Sequence, residues 1–365
     1  MEQQLLTIVI PNRNRDLKTV RRSLDSIQPQ LGKGVELWLV DYGSSLSYQD
    51  KLQTLLLSFP KVRILLCPVQ GQLWNKSRCI NMILKEATST YFMVCDMDMI
   101  WHPRFLDEQS QKWQRDQANY YSVGMLTEEE SQKNQKFDDY AISFKSSREA
   151  TGITVFDTEA LKSINGFDEF YHGWGAEDTD AHDRFKNAGF KVKFESISTY
   201  FLHQWHLRDY RSTISFAPFH KYLERINDRY SEFTRDLNRI KANEAQEWGV
   251  MCGKNAYEML QSPDIRLEVK PFQHEIIGIV NQLLEINIPQ TVHITVQTEP
   301  LIHIMKARLK SIIGKGKPSL YMSMEHVNER FLEMLVSFTR NHPYKYKFDR
   351  QKRRLDFIIR LNNHA

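Results

Sequence analysis

The chain has 365 residues, of which 41% are hydrophobic and 26% are charged, and its formal net charge at pH 7 is only +4. This composition is typical of a globular protein with room for two domains, and it excludes a dedicated nucleic-acid binder with one strongly basic surface. Because no run of about 18 apolar residues occurs and the N-terminus enters a strand at once, we expect no transmembrane segment and a cytoplasmic protein, with a peripheral place at the inner face of the membrane as an option.

Short apolar runs, rich in β-branched and aromatic residues, alternate with segments of helical period in the first part of the chain. The runs predict strands at Leu5 to Pro11, Val35 to Asp41, Val62 to Cys67, Tyr91 to Asp96 and Gly152 to Asp157, with helices at Asp16 to Ile27 and Trp74 to Ala87. Apolar strands separated by helices are typical of a mostly parallel sheet covered on both faces. The predicted fold class is therefore α/β, and a polar helical pattern from Arg208 to about Trp248 predicts helices that close this domain.

A second alternation after residue 255 predicts a small α/β domain at residues 256–365, following a first domain at residues 1–255. Its predicted elements are strands at Arg266 to Lys270, Val292 to Gln297 and Ser319 to Met324, helices ending near Leu284 and covering Pro300 to Ile313 and Asn328 to Asn341, and a final hairpin from Tyr344 to Leu361. The hairpin is basic, which favours a solvated strand face. An anionic or lipid-linked saccharide and an oligomer interface are the alternatives.

Polar side chains follow the carboxyl ends of three predicted strands: Asn12 and Arg13, then Asp41, then Asp96 and Asp98. These ends meet at one edge of a parallel sheet, where ligands bind. Asp96 and Asp98 are two apart on an extended chain and so face the same way, which allows a divalent cation to bridge them to a diphosphate. A lone DxD also arises by chance, and a solvated strand end is the alternative.

Two later segments contain further candidates. In Gly173-Trp174-Gly175-Ala176-Glu177-Asp178 the glycines allow a sharp turn that presents an indole face, a natural platform for a sugar ring. The acids could instead only cap the helix that follows. His203 and His206 are three apart and could share a metal, or they could be ordinary surface histidines.

Basic turns follow the first strand, in Pro11-Asn12-Arg13-Asn14-Arg15, and open the predicted helix at Trp74-Asn75-Lys76-Ser77-Arg78. Arginines before a helix N-terminus can bind phosphate oxygens in a bidentate manner. Exposed loop arginines without a ligand are the alternative.

Five segments in order, PNRNR, CDMDM, INGF, GWGAED and HQWHLRD, resemble glycosyltransferase family 2, and more closely its β-1,4-galactosyltransferase and bacterial chondroitin polymerase branch. The resemblance covers about residues 5–250. It implies a GT-A nucleotide-sugar-binding fold, a UDP-sugar donor with Mn²⁺ or Mg²⁺, and inverting transfer of a hexose or N-acetylhexosamine to a saccharide hydroxyl, in the setting of bacterial polysaccharide or glycan synthesis.

The resemblance also implies a role for individual residues. Donor and nucleotide contacts fall on Pro11, Arg13, Arg15, Asp41, Trp74, Lys76, Asp96 and Met97. The implied metal ligands are Asp98 with His206 or His203, and the implied contact of Asp96 is the ribose or a metal-bound water. Trp174, Gly175 and Glu177 face the sugar and acceptor, and Asp178 is the general base, with Glu177 beside it. Tyr42 replaces the second acid of the usual DDGS, which leaves the identity of the nucleotide base open.

Other classes fit the sequence less well. A sugar nucleotidyltransferase would also use a metal-binding carboxylate, but it normally has a glycine-rich loop where this chain has PNRNR. NAD-type and P-loop enzymes are disfavoured because GxGxxG and GxxxxGK[ST] are missing. The four cysteines form no CxxC pair and are expected to be buried thiols. A non-catalytic carbohydrate-binding module would keep Trp174 without needing Asp178.

Overall fold

The computed structural model describes residues 5–207, 220–286, 288–298, 305 and 320–361. They form two compact units. The first contains residues 5–67, 74–207 and 226–250, and the second contains residues 68–73, 220–225 and the described chain from 251 onward. The predicted domain limits, 1–255 and 256–365, stay a prediction.

The first unit is built on a seven-stranded sheet of order β10-β6-β9-β4-β1-β2-β3, with a second, four-stranded sheet of order β5-β11-β7-β8. The strands are β1 Leu6–Asn12, β2 Val35–Tyr42, β3 Val62–Cys67, β4 Tyr91–Val94, β5 Met99–Trp101, β6 Gln117–Tyr121, β7 Val123–Met125, β8 Phe144–Lys145, β9 Thr154–Asp157, β10 Lys191–Glu195 and β11 Phe201–His203. In the large sheet β9 alone is antiparallel to its neighbours, β4 and β6. The predicted α/β class with a mostly parallel sheet is confirmed.

Several helices of this unit begin at a polar residue whose side chain caps the first turn. The helices are α1 Leu17–Ile27, α2 Leu46–Leu56, α3 Lys76–Glu86, α4 Phe105–Gln109, α5 Glu128–Gln132, α6 Thr158–Ser163, α7 Glu177–Asn187 and α8 His220–Asp236, which belongs to this unit from residue 226. The side chain of Asp16 accepts hydrogen bonds from the first turn of α1, and Asn75 does the same for α3. Val20, Leu24 and Ile27 of α1 are buried at helical spacing, which directs that face into the core.

The second unit has a four-stranded sheet of order β12-β13-β15-β14. Its elements are α9 Lys254–Glu258, β12 Ile265–Val269, α10 Gln273–Glu285, β13 Gln290–Gln297, α11 Met324–Met334, a π-helical turn at Leu335–Thr339, β14 Tyr344–Asp349 and β15 Arg354–Leu361. The predicted final hairpin is confirmed by the antiparallel pair β14 and β15. Arg350, Arg354 and Arg360 of the basic segment pair with carboxylates of Glu325, Asp356 and Asp264.

One predicted strand of the second unit is wrong over its described residues. Tyr321 makes only a single bridge, to Phe272, and Met324 already starts α11. The hydroxyl of Ser323 accepts a hydrogen bond from the backbone N–H of His326, so a helix cap interrupts the strand pattern. The predicted helix from Pro300 to Ile313 lies outside the described residues apart from Met305.

In the described ranges, no helix is both long enough and apolar enough to cross a membrane. Cys67, Cys79 and Cys95 are buried thiols, as predicted, and Cys252 is half-buried.

Candidate active site

A carboxylate and two imidazoles meet beside the turn that follows β4. Nε2 of His206 lies 3.2 Å from Oδ2 of Asp98, and Nε2 of His203 lies 3.7 Å from Oδ1. One ligand atom from each of the three residues lies within 4.8 Å of the others. We call this group the Asp98 cluster.

Strand pairing brings these distant residues together. β11 runs antiparallel to β5, and His203 is the register partner of Met99, the residue after Asp98. The backbone N–H of Gln204 donates a hydrogen bond of 2.9 Å to the carbonyl of Asp98. Trp101 and Phe201 pack edge to face behind this pair, with ring centroids 5.0 Å apart. The strand register therefore determines where the imidazoles stand relative to the carboxylate.

The chemistry of the Asp98 cluster fits a divalent metal. Oδ1 of Asp98 is buried and accepts no hydrogen bond from the described residues, although an unpartnered buried oxygen is costly. Burial alone would raise the pKa of Asp98, but His203, His206 and Arg15 hold it well below its usual range. A carboxylate oxygen with two imidazole nitrogens suits Mn²⁺ better than Mg²⁺, which prefers oxygen ligands.

Asp96 does not join this cluster. β4 ends at Val94, so the two aspartates lie in a turn and not on the predicted extended strand. Oδ1 of Asp96 lies 3.0 Å from Nζ of Lys76 instead. The two acids of the DxD segment are therefore held by different cations, and Met97 between them is buried.

A second group, which we call the Lys76 cluster, joins this lysine to three carboxylates. Nζ of Lys76 lies 2.9 Å from Oδ2 of Asp178 and 3.7 Å from Oε1 of Glu177, in addition to Asp96. The side chain of Lys76 is only 10% exposed. Burial would lower the pKa of Lys76, but the three carboxylates raise it well above its usual value. Lys76 is the first residue of α3, where a cation is disfavoured by the helix dipole, so the acids compensate for an unfavourable position.

Glu177 and Asp178 reach Lys76 because α7 begins abruptly. Gly175 and Ala176 both have positive φ, 105° and 70°, and α7 starts at the next residue. Glu177 and Asp178 stand in the first turn of α7, where the helix dipole favours acids, and Asp178 also bonds Lys76. Burial, and next the charge of Asp178, raise the pKa of Glu177 to about 7, against the effect of Lys76. Burial beside a second carboxylate therefore favours the protonated form of Glu177 more than in an ordinary glutamate.

The loop before α7 presents Trp174, whose side chain is 44% exposed. Nδ2 of Asn227, on α8, donates hydrogen bonds to the carbonyls of His172 at 3.0 Å and Trp174 at 3.2 Å. The backbone N–H of Gly173 donates a bond of 2.9 Å to the carbonyl of Trp74. The loop is thus held from two sides while the indole stays accessible. Sequence reasoning missed Asn227, which lies on the buried face of α8 together with Ser231 and Thr234, in a stretch whose sequence is polar.

A buried network under this loop was also missed. Nε of Arg78 lies 2.7 Å from Oε2 of Glu169, and both side chains are 4% exposed. Oε1 of Glu169 accepts hydrogen bonds from Nδ2 of Asn81 at 3.0 Å and from the backbone N–H of Gly249 at 2.7 Å. Arg78, which the basic turn suggested as a phosphate contact, therefore ties α3 to the segment that follows INGF.

The residues predicted to hold the nucleotide are only partly accessible. Pro11 is buried in β1, and Arg13 after it is half-buried. The carboxylate of Asp41 is fully buried and accepts hydrogen bonds from Asn12 at 2.8 Å, Ser44 at 2.6 Å and Gln49 at 2.7 Å. Asp41 therefore fixes the ends of β1 and β2, and its contact with a nucleotide base stays a prediction.

Aromatic and basic side chains complete this edge. Trp74 packs edge to face against the buried Tyr42, with centroids 6.1 Å apart. Nη2 of Arg15 lies 3.0 Å from Oδ2 of Asp98. The structure thus brings Arg15 to the Asp98 cluster and Lys76 to the acids of α7.

Comparison with known proteins identifies two overlapping family regions. Residues 7–164 match Glycosyl transferase family 2, and residues 132–206 match the N-terminal domain of galactosyltransferase. The family 2 match and the mostly parallel sheet agree with the expected GT-A fold.

Curated relatives include human chondroitin sulfate synthase 3, 27% identical over 54% of this chain and 21% of that protein, and human beta-1,4-galactosyltransferase 5, 27% identical over 34% of this chain and 29% of that protein. The chain thus spans between a fifth and a third of the length of these two relatives. Solved structures with a partial likeness include GalNAc-T7 with UDP, GalNAc and Mn²⁺, at 14% identity, a TM-score of 0.42 and coverage of 57% of this chain and 45% of that chain. The mannosyltransferase PcManGT from Pyrobaculum calidifontis, with GDP-Man and Mn²⁺, has 14% identity and a TM-score of 0.41, over 65% of this chain and 74% of that chain.

The two family regions together contain both clusters, since Lys76, Asp96 and Asp98 fall in the first and Glu177, Asp178, His203 and His206 in the second. The chain is therefore similar to glycosyl transferase family 2 over residues 7–164 and to the galactosyltransferase N-terminal domain over residues 132–206.

Proposed function

We propose that this protein is an inverting, metal-dependent glycosyltransferase that moves a hexose or N-acetylhexosamine from a UDP-sugar to a hydroxyl of a saccharide acceptor. The observation that supports this best is the position of Asp96 and Asp98 in one turn between two clusters of different chemistry. Asp98 faces two imidazoles, and Asp96 shares Lys76 with Asp178. The short backbone stretch from Asp96 to Asp98 thus connects the candidate metal ligands with the cluster that contains the candidate base.

Asp98, His203 and His206 are the residues that would hold the metal. When bound, Mn²⁺ supplies positive charge that stabilises the leaving diphosphate. In this proposal, Arg13 and Arg15, on the turn after β1, bind the same phosphates through their guanidinium groups. Trp74 and Lys76 provide the remaining donor contacts in this proposal, with Asp96 near the ribose.

Asp178 acts as the general base. Its Oδ2 is held by Lys76, so Oδ1 accepts the proton of the acceptor hydroxyl. The hydroxyl oxygen bonds to the anomeric carbon as the bond to the diphosphate oxygen breaks, and the configuration at that carbon inverts. Glu177 lies next to this base, and the charge of Asp178 helps burial to raise the pKa of Glu177. We assign Glu177 a hydrogen bond to the sugar or acceptor. The exposed indole of Trp174 and the backbone of Gly175 form the platform for the acceptor ring.

The setting we propose is bacterial polysaccharide or glycan synthesis in the cytoplasm, where the acceptor could be lipid-linked or anionic. The basic hairpin of the second unit supports an anionic acceptor only weakly, since three of its arginines are already paired with carboxylates. Oligomer formation through this unit stays a prediction.

The experiment that tests the function is release of UDP from a panel of UDP-sugars, with Mn²⁺ and after its removal by a chelator. We expect Mn²⁺-dependent release from one donor, and loss of release in Asp98→Asn. Absence of release, together with absence of metal-dependent nucleotide binding, would reject the transferase. The exposed Trp174 would then favour a carbohydrate-binding module.

A further inference from the structure

Arg15 occupies the Asp98 cluster. Its Nη2 lies 3.0 Å from Oδ2 of Asp98, the same oxygen that lies 3.2 Å from Nε2 of His206. The other oxygen, Oδ1, has no hydrogen bond from the described residues. A guanidinium therefore neutralises the carboxylate that the proposed function assigns to a metal.

A divalent cation held by Asp98 would lie within a few ångströms of this guanidinium, whichever carboxylate oxygen it used. Arginine stays charged at any pH a protein tolerates, so it cannot yield by losing a proton. Two cations a few ångströms apart in a partly buried site repel each other strongly, because solvent screens them poorly. Asp98 is 5% exposed at its side chain, which places the pair in such a site.

The backbone around Arg15 is held in place, so the exchange has to occur in the side chain. The hydroxyl of Tyr48 donates a hydrogen bond of 2.6 Å to the carbonyl of Arg15. The backbone N–H of Asn14 donates one of 2.8 Å to Oγ of Ser44, and Oδ1 of Asn14 accepts one of 3.1 Å from the N–H of Ser45. The side chain of Arg15 itself is 30% exposed and has room to turn toward solvent or a ligand.

We propose that Arg15 exchanges between two partners: the Asp98 carboxylate in the metal-free protein, and the donor diphosphate once a metal occupies the cluster. The inference rests on the proposed function and adds a coupling to it. Metal binding releases the arginine that the diphosphate needs, and a bound diphosphate removes the arginine that competes with the metal. Each ligand must then raise the affinity for the other by the same factor.

The test measures binding of Mn²⁺ alone, without nucleotide, by electron paramagnetic resonance of the free ion. We compare the unsubstituted protein with Arg15→Gln and with Lys18→Gln, which removes an exposed positive charge on α1 three residues away. Arg15→Gln should bind Mn²⁺ at least about tenfold more tightly, because the competing cation is gone. Lys18→Gln should bind like the unmodified protein. In saturating Mn²⁺, Arg15→Gln should bind UDP more weakly.

Equal or weaker Mn²⁺ binding by Arg15→Gln, with an unchanged unfolding midpoint, overturns the exchange and leaves the proposed function standing. Unchanged UDP affinity in that variant overturns the proposal that the diphosphate is the second partner of Arg15. If neither protein binds Mn²⁺, the metal site and the proposed function both fail, and the exchange fails with them.

Discussion

Nζ of Lys76 lies 2.9 Å from Oδ2 of Asp178 and 3.0 Å from Oδ1 of Asp96. One buried cation thus connects the turn after β4 with the first turn of α7. The connection holds a candidate base and a donor-side acid in fixed positions before any ligand arrives, which is the form of preorganisation that lowers the entropic part of a barrier.

Replacement of Asp178 by asparagine should abolish proton acceptance and little else. The amide oxygen can still accept from Lys76, so we expect sugar transfer to fall by at least about a hundredfold, while UDP-sugar binding is retained. Transfer kinetics and calorimetric donor binding measure the two effects. Asp183→Asn on the same helix, where the acid pairs with Lys186, is the matched control and should keep its activity. Full turnover by Asp178→Asn would remove Asp178 from its role.

Lys76→Met should destabilise the metal-free protein. It leaves the largely buried Asp178 and Glu177, and the more exposed Asp96, without their common cation. Breaking a buried pair on one side typically costs about 3–5 kcal/mol. Urea unfolding measures this cost. The double variant with Asp178→Asn should recover part of the lost free energy of unfolding, because one unpaired charge disappears. Additive effects of the two substitutions would show that the contact contributes nothing.

Gly152 leaves space for the carboxylates of the Lys76 cluster. A Cβ atom there would lie 3.1 Å from Oδ2 of Asp96 and 3.4 Å from Oδ2 of Asp178, so an alanine would push on both acids. We expect Gly152→Ala to reduce transfer by about tenfold through misplacement of these groups, with little change in the unfolding midpoint. Wild-type kinetics in Gly152→Ala would show that the acids tolerate the shift.

Asn227→Ala should loosen the loop that presents Trp174. It removes two hydrogen bonds, each worth about 1 kcal/mol. Because the loop belongs to the acceptor side of the proposed site, the KM for the acceptor should rise about tenfold, while hydrolysis of the donor by water stays near its original rate. An equal loss in both reactions would point to general unfolding, which thermal denaturation would reveal.

His182 makes the folded state sensitive to acid. Burial, followed by the charge of Lys186, lowers its pKa from 6.5 to about 3, and its ring nitrogen bonds Oγ1 of Thr154 at 2.9 Å. Between pH 6.5 and 3, His182 therefore binds a proton in the unfolded chain but not in the folded chain. The free energy of unfolding consequently rises with pH in this window and falls on acidification. Between pH 7 and 5 this group should account for about 2 kcal/mol. Urea unfolding of His182→Gln should show a correspondingly smaller loss over the same range, and an identical loss would contradict the assignment.

The sequence predicted the limits of the apolar strands well, but it did not predict which strands lie next to each other in the sheet. β1, β2 and β3 are long apolar runs, and each lies within a residue of its predicted limits, because periodicity and burial act locally. The antiparallel position of β9 between β4 and β6 is not encoded in any local pattern. The three-residue strand β5 follows directly on the DxD segment and is too short to produce a period of its own.

The candidate site shows the same division. Motifs located both clusters, since Asp98, His203, His206, Glu177 and Asp178 all stand in predicted segments. The partner of each acid depends on the arrangement of helices and strands, so the separation of Asp96 from Asp98 was not visible in their spacing. Glu169 and Asn227 act through contacts with residues far away in the chain, to which the sequence offers no local guide.

The antiparallel register of β11 against β5 limits where this chain can change its length. Side chains alternate between faces along a strand, so one residue inserted between Tyr200 and His203 would turn His203 to the opposite face and away from Asp98. An insertion in an exposed loop has no such effect on the imidazoles. Natural or engineered variation in length should therefore be found in the loops and not in this three-residue strand. A gap at β11 in a related sequence would mark a protein whose imidazoles no longer face the equivalent of Asp98.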